Sequence, residues 1–317
     1  MESKSVGVLG GGDWGTGIAQ ALANGGHKVQ MWALEPEVKE SVNNEHENKR
    51  YLPGYKLSSN LTVSNDIVEV ATGKEFLIIA APSLYLSSTI KQIVNVPNIA
   101  DGSTVVAALT KGFVPSNDGP KLVLETIEAA LPEVYRGQTV YISGPSHAEE
   151  VAMGKLTGLI AASENPKNSI RVRDLLRVPG LMVYSSFDVV GVQICAAAKN
   201  VIAVVYGAFD AVAEHSQIFG DNSQSLLFVF LLNEIQALGM AMGATHPETF
   251  TSIAGVGDLD VTCRSKYGRN RRFGRDIIKE NLLSKFSSLD DLPCDNCPSI
   301  AEQNVKDDNP HDDYRYV

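Results

Sequence analysis

Cysteine is scarce, four in 317 residues, which excludes a scaffold held by disulfides. Cys195 and Cys263 stand among small or apolar neighbours and are expected to be reduced. Basic residues are outnumbered, 27 Lys and Arg against 37 Asp and Glu, for a net charge of -10. A field of that sign disfavours nucleic acid and anionic membranes as partners, so an anionic substrate would need a local basic cluster. No run approaches about 18 uninterrupted apolar residues, so no membrane span is expected. The start, Met1 to Ser5, lacks a basic segment followed by a separate apolar one, so it does not read as a signal peptide. These absences together predict a cytoplasmic protein.

What is present is ordinary globular composition, 44% hydrophobic and 20% charged, enough to bury a large core. Short apolar runs alternate with helical patterns through the first half. Val6–Leu9, Lys28–Trp32, Phe76–Ala80, Val105–Ala108 and Val140–Ser143 read as strands, and about Gly15–Asn24 as a helix. Continuous apolar strands separated by helices predict a mainly parallel sheet covered on both faces. After about Ser185 the pattern turns helical, with long breaker-poor stretches from Val189 to about Ala213 and from Ser223 to Met242. The expectation is an α/β, Rossmann-type doubly wound domain over 1–185, followed by a mostly α-helical domain over 186–283. A divergent acidic tail over 284–317 has a composition that predicts weak order. Within it Cys294 and Cys297 form a lone C-x-x-C pair. Structural zinc wants four ligands, so the spacing is read as incidental and no metal is expected.

The segment Gly10-Gly11-Gly12-Asp13-Trp14-Gly15 matches G-x-G-x-x-G between a strand and a helix, the context a dinucleotide fingerprint requires. Gly10 permits the tight turn, Gly12 lets the backbone approach a pyrophosphate, and Gly15 allows helix and strand to pack closely. An ordinary glycine-rich turn is the bland alternative. Glu35 lies 20 residues past Gly15, just after the second strand. An acid there can hydrogen-bond a ribose 2′-hydroxyl and repel a 2′-phosphate; no Arg adjoins it in sequence. The expected cofactor is NAD, with NADP left open.

Polar groups recur where a purely structural chain would not need them. Thr110-Lys111-Gly112 and Ser143-Gly144-Pro145-Ser146 follow the fourth and fifth strands, at the edge where open α/β sheets bind ligands. Lys199-Asn200 interrupts an apolar helix; a desolvated Lys there is suited to exchanging a proton, although a snorkelling surface Lys has the same pattern. Gly255-Val256-Gly257-Asp258 presents one acid from a glycine-rich turn, either to orient a Lys or to cap a helix. Gly268-Arg269-Asn270-Arg271-Arg272 is a basic cluster in an acidic protein, suited to bidentate phosphate binding.

Taken in order along about residues 5–280, these motifs, with Tyr51-Leu52-Pro53-Gly54, Ala81-Pro82-Ser83, Gly220-Asp221-Asn222 and Gly257-Asp258-Leu259, resemble the bacterial-type NAD(P)-dependent glycerol-3-phosphate dehydrogenase family. The resemblance implies hydride transfer between NAD(P)H and dihydroxyacetone phosphate, giving glycerol 3-phosphate for phospholipid synthesis, by a homodimer. It implies Lys199, Lys111 and Asp258 as catalytic residues. It also implies Gly144, Ser146, Asn200, Thr262, Gly268, Arg269 and Asn270, with those three, on the substrate. Gly10, Gly12, Asp13, Trp14, Gly15, Glu35, Lys111, Ala148 and Arg269 are implied on the cofactor. Asp13, Leu34 and His147 depart from the family pattern, and the likeness is not traceable by eye after about Lys279. Another two-domain NAD-dependent hydroxy-acid dehydrogenase, or a catalytically silent NAD(H)-binding protein, would share the fold.

Overall fold

The structure is a computed structural model and describes residues 2–265 and 268–280. The expectations for the tail, including Cys294 and Cys297, therefore lie outside the described residues.

Eight strands form one sheet: β1 (Ser5–Leu9), β2 (Lys28–Trp32), β3 (Leu61–Ser64), β4 (Phe76–Ile79), β5 (Val105–Ala108), β6 (Val140–Ser143), β7 (Thr157–Ala162) and β8 (Leu181–Ser186). The connecting α-helices are α1 (Asp13–Asn24), α2 (Pro36–Glu45), α3 (Ile67–Ala71), α4 (Leu86–Lys91), α5 (Pro97–Ala100), α6 (Val123–Ala130), α7 (Ala148–Ala152) and α8 (Pro166–Leu175). Four more follow: α9 (Val189–Ala213), α10 (Asp221–Ala241), α11 (Asp258–Arg264) and α12 (Arg269–Lys279).

The strand order is β3-β2-β1-β4-β5-β6-β7-β8. Every neighbouring pair is parallel except β6–β7. The chain winds outwards from β1 to β3, returns to β4 beside β1, and winds the other way. The reversal between β1 and β4 is the switch point, outside whose carboxyl ends open α/β sheets bind ligands. β4, β5 and β6 are buried along their whole length, because helices cover both faces. Successive residues of β4 serve opposite cores: Ile78 joins Ile18, Leu22 and Val172 on one face, while Leu77 and Ile79 join Ile90, Ile127 and Leu86 on the other.

The helical part has its own core of Ile194, Ala198, Ile202, Tyr206, Ile235, Phe250 and Leu259. α9 is the central helix. Asp188, 2% exposed, caps its first turn at Gly191 N–H and also accepts from Thr245 N–H and Thr249 Oγ1. α9 and α12 cross so closely that a Cβ on Gly207 would overlap the Arg271 carbonyl, and one on Gly274 the Val204 carbonyl.

A helix need not be an uninterrupted apolar run to match a bilayer in length and mean hydropathy. α9 and α10 are both long and apolar enough by length and composition to cross a bilayer. α9 is mostly buried as the core helix, whereas α10 keeps Leu226, Val229 and Phe230 exposed. Cys195 and Cys263 are both free and buried.

Candidate active site

The loop after β1 turns at Gly10, whose φ of +134° favours glycine. A Cβ there would also meet the Ala80 backbone at 2.7 Å, so Gly10 lets β1 and the end of β4 come together at the switch point. A Cβ on Gly15 would overlap the Gly10 carbonyl, which fastens α1 to the turn, whereas one on Gly12 would have nothing within 4 Å. Open space over Gly12, beside the N-terminus of a 12-residue helix, is the cradle a dinucleotide pyrophosphate requires. The residues present fit that cofactor. α1 starts two residues earlier than the periodicity suggests, so Asp13 is its first residue.

Trp14 is half-buried against Leu52, Ala148 and Ala152, with no hydrogen-bond partner for its Nε1 among the described residues. A Cβ on Gly17 would lie 3.0 Å from the Ala148 carbonyl, so Ala148 meets α1 through its backbone. Glu35, at the cap position of α2, accepts a 2.6 Å hydrogen bond from the Tyr51 hydroxyl. Burial first, and then that carboxylate, push the Tyr51 phenol up to about 12. The fold also brings a base near Glu35 that its sequence neighbours do not supply: Arg50 stacks 5.4 Å over the Tyr51 ring and pairs with Glu37 at 2.8 Å.

Further along the same edge, three charged side chains meet. Asp258 is wholly buried. Its Oδ1 accepts from Lys199 Nζ at 2.6 Å and its Oδ2 from Lys111 Nζ at 3.0 Å. Lys111 Nζ also donates to the Gly144 carbonyl at 3.0 Å and to Ser146 Oγ at 3.4 Å. Lys199 Nζ donates to Thr262 Oγ1 at 3.1 Å, and that hydroxyl donates to the Asp258 carbonyl one turn earlier. Ser143 Oγ reaches Asp258 Oδ2 at 3.4 Å. Lys111 leaves the carboxyl end of β5, Gly144 and Ser146 leave β6, Lys199 projects from α9, and Asp258 opens α11. A π-helical turn over Ile253–Gly257 delivers Asp258, a distortion frequent at functional sites.

Burial drives the Lys111 ammonium down to about 8, with Lys199 pushing the same way and Asp258 opposing. Burial would raise the Asp258 carboxyl, but Lys111 and Lys199 outweigh it and hold it below its ordinary value. The centre thus holds an ionised carboxylate between two lysines in a water-poor pocket. A Lys paired in this way can present a proton to an oxygen that gains negative charge.

Arg269 opens α12 after Gly268, and its Nη2 lies 3.4 Å from Asp13 Oδ2. The cofactor loop and the basic cluster are therefore neighbours. Asn200 and Asn270 lie half-buried, each next in the chain to Lys199 and Arg269. Glu35 stands apart from the lysines, beyond the end of β2. Ser143, Tyr51, Arg50 and Asp188 carry contacts that sequence reading did not assign. Ser143 and Tyr51 belong to polar or glycine-rich motifs of the sequence, but neither spacing nor polarity indicates their partners.

A sheet with its ligand edge at the switch point, facing a buried lysine–carboxylate centre, is the architecture of a two-domain nicotinamide-dependent dehydrogenase. Models of the NAD-dependent glycerol-3-phosphate dehydrogenase N-terminus and C-terminus match residues 5–169 and 188–292. The likeness thus continues past Lys279. The chain is 53% identical over 296 residues to the glycerol-3-phosphate dehydrogenase [NAD(P)+] of Treponema denticola, covering 92% of this chain and 83% of that one. It is 37% identical over 289 residues to the Bacillus subtilis protein of the same name, covering 91% and 79%. Among solved structures it is similar to glycerol-3-phosphate dehydrogenase from Coxiella burnetii, with 29% identity, a TM-score of 0.78, and 96% and 89% of the chains covered. The chain belongs to the NAD-dependent glycerol-3-phosphate dehydrogenase family.

Proposed function

We propose that this protein interconverts dihydroxyacetone phosphate and sn-glycerol 3-phosphate with NAD(H), NADP(H) being the less favoured cofactor. The observation that carries the reading is the Lys199–Asp258–Lys111 cluster, set on the same sheet edge as a glycine loop shaped for a dinucleotide. In this reading residues 1–185 bind the cofactor and residues 186–283 complete the catalytic centre.

When bound, the nicotinamide supplies or accepts the hydride at the carbon of the ketone or alcohol. Lys199 holds a proton against the carbonyl oxygen and gives it up as that oxygen becomes an alkoxide, so ketone, hydride and proton yield the alcohol. Asp258 aims Lys199, with Thr262 as its second support. Lys111 adds a second positive charge and ties the centre to Gly144 and Ser146, which with Ala148 would hold the nicotinamide. Gly268, Arg269 and Asn270 hold the substrate phosphate, and Asn200 is a further substrate contact in this reading. Binding energy remote from the reacting carbon then serves to orient it. Gly10, Gly12, Trp14 and Gly15 would line the pyrophosphate, with Asp13 in the same loop, and Glu35, steadied by Tyr51, would receive the ribose 2′-hydroxyl. A cytoplasmic homodimer supplying glycerol 3-phosphate for phospholipid synthesis is consistent with this activity.

The test is the loss of NADH absorbance in the purified protein with and without dihydroxyacetone phosphate. Oxidation that depends on the phosphorylated ketone supports the reading. Oxidation only with unphosphorylated keto acids would favour another hydroxy-acid dehydrogenase, and NADH binding without turnover a silent binder.

A further inference from the structure

The first amide groups of α1 open onto the space over Gly12, and part of their anion-binding capacity is already in use. Asp13 Oδ1 accepts a 2.7 Å hydrogen bond from the Trp14 N–H. Its other oxygen lies 3.4 Å from Arg269 Nη2. One carboxylate thus joins the cofactor loop to the start of α12, 256 residues further along the chain. Helix N-terminal amides and an arginine fork are also what a phosphate oxygen seeks. Asp13 and Arg269 are 41% and 30% exposed, so their contact is a weak one that water and salt can open.

The geometry points to Asp13 as a resident anion that competes with the pyrophosphate of the cofactor for the α1 terminus and with the substrate phosphate for Arg269. This inference rests on the reading of Arg269 as a phosphate anchor. A pyrophosphate arriving over Gly12 repels the carboxylate and takes up the Trp14 N–H. Asp13 turns out to water, and Arg269 is released from it. A phosphate engaging Arg269 likewise loosens Asp13 and clears the loop for the cofactor. Each ligand therefore eases the entry of the other, and the coupling is reciprocal because binding free energies are linked.

NADH titrated with and without glycerol 3-phosphate tests this at equilibrium, since two reduced ligands cannot react. In the wild type, saturating glycerol 3-phosphate tightens NADH binding. Asp13→Asn binds NADH alone about two- to fivefold tighter, the range expected for relief of an exposed ion pair, and its coupling factor falls towards one. Asp13→Ser does the same, while Asp13→Glu retains the wild-type coupling. Circular dichroism establishes that each variant is folded. Unchanged or weaker NADH binding in both neutral variants overturns the proposal, as does undiminished coupling. Turnover of dihydroxyacetone phosphate, measured on the same samples, separates the two readings. Activity without any Asp13 effect removes this inference alone, whereas a wild type that binds NADH but gains nothing from either phosphate compound removes both.

Discussion

The carbonyl oxygen of Val204 occupies the place a Cβ on Gly274 would need. That contact seats α12 against α9, and with it Arg269. Gly274→Ala is expected to cost about 1–3 kcal/mol of stability through overpacking, read by urea denaturation, and to weaken phosphate-substrate binding. Gly12→Ala is the counterpart. Its Cβ meets open space, so the melting curve should stay within about 0.5 kcal/mol of wild type while NADH affinity drops.

Lys199→Ala should lower kcat by about a hundred- to ten-thousandfold, the usual share of a positioned proton donor, with NADH affinity retained. Stopped-flow NADH fluorescence separates the two quantities. Turnover near wild type would remove Lys199 from the role.

Asp258→Asn leaves two lysines in a buried site without their counter-charge. Breaking a buried ion pair from one side costs about 3–5 kcal/mol, so both activity and the denaturation midpoint should fall. The carboxyl is held below its ordinary value. Its stabilising contribution is therefore complete above the range where it titrates in the unfolded chain, and is lost as pH falls through its folded value.

Lys111 gives the opposite limb. With its ammonium brought down to about 8 by burial, kcat/KM should decline as pH rises through that value, as the second positive charge disappears. Between about 8 and the ordinary 10.5 the unfolded chain binds this proton and the folded one does not. The contribution of this group to stability therefore rises with pH across that window. Lys111→Arg, which keeps its charge, should shift the alkaline limb upwards. A pH–rate profile identical to wild type would contradict the assignment.

Glu35→Gln removes the charge that would repel a 2′-phosphate, with Arg50 close to Tyr51 to receive it. The ratio of kcat/KM for NADP over NAD should rise about tenfold or more, the worth of a charge-assisted hydrogen bond and the repulsion it replaces. Tyr51→Phe, which only frees the carboxylate, should move the ratio less.

The parts most legible in the sequence are those whose periodicity is set by burial. β1, β4, β5 and β6 follow from continuous apolar runs because helices cover both faces of the sheet, β2 from a short run that turns Val29 and Met31 inward, and α9 from a long stretch poor in helix breakers. β3, β7 and β8 did not stand out. β3 is only four residues and half polar, half of β7 is Ala and Gly, and β8 lies at the sheet edge, with several residues in solvent. In the site, Gly10, Gly12 and Gly15 were legible because their spacing is local. The meeting of Lys111 with Asp258, and of Arg269 with Asp13, depends on packing between segments far apart in the chain, and only the family resemblance relates those residues from sequence. Arg50 is not legible in the sequence because its nearness to Glu35 is made by a loop rather than by spacing.

Asp258 takes one lysine from 147 residues away and the other from 59. Neither half of the chain can therefore assemble the reacting group by itself. A chain that stops short of Asp258 lacks the carboxylate that joins the two lysines. Hydride transfer becomes available only once the segment around Asp258 has been made and docked, so a growing chain that captured NADH early would not consume it.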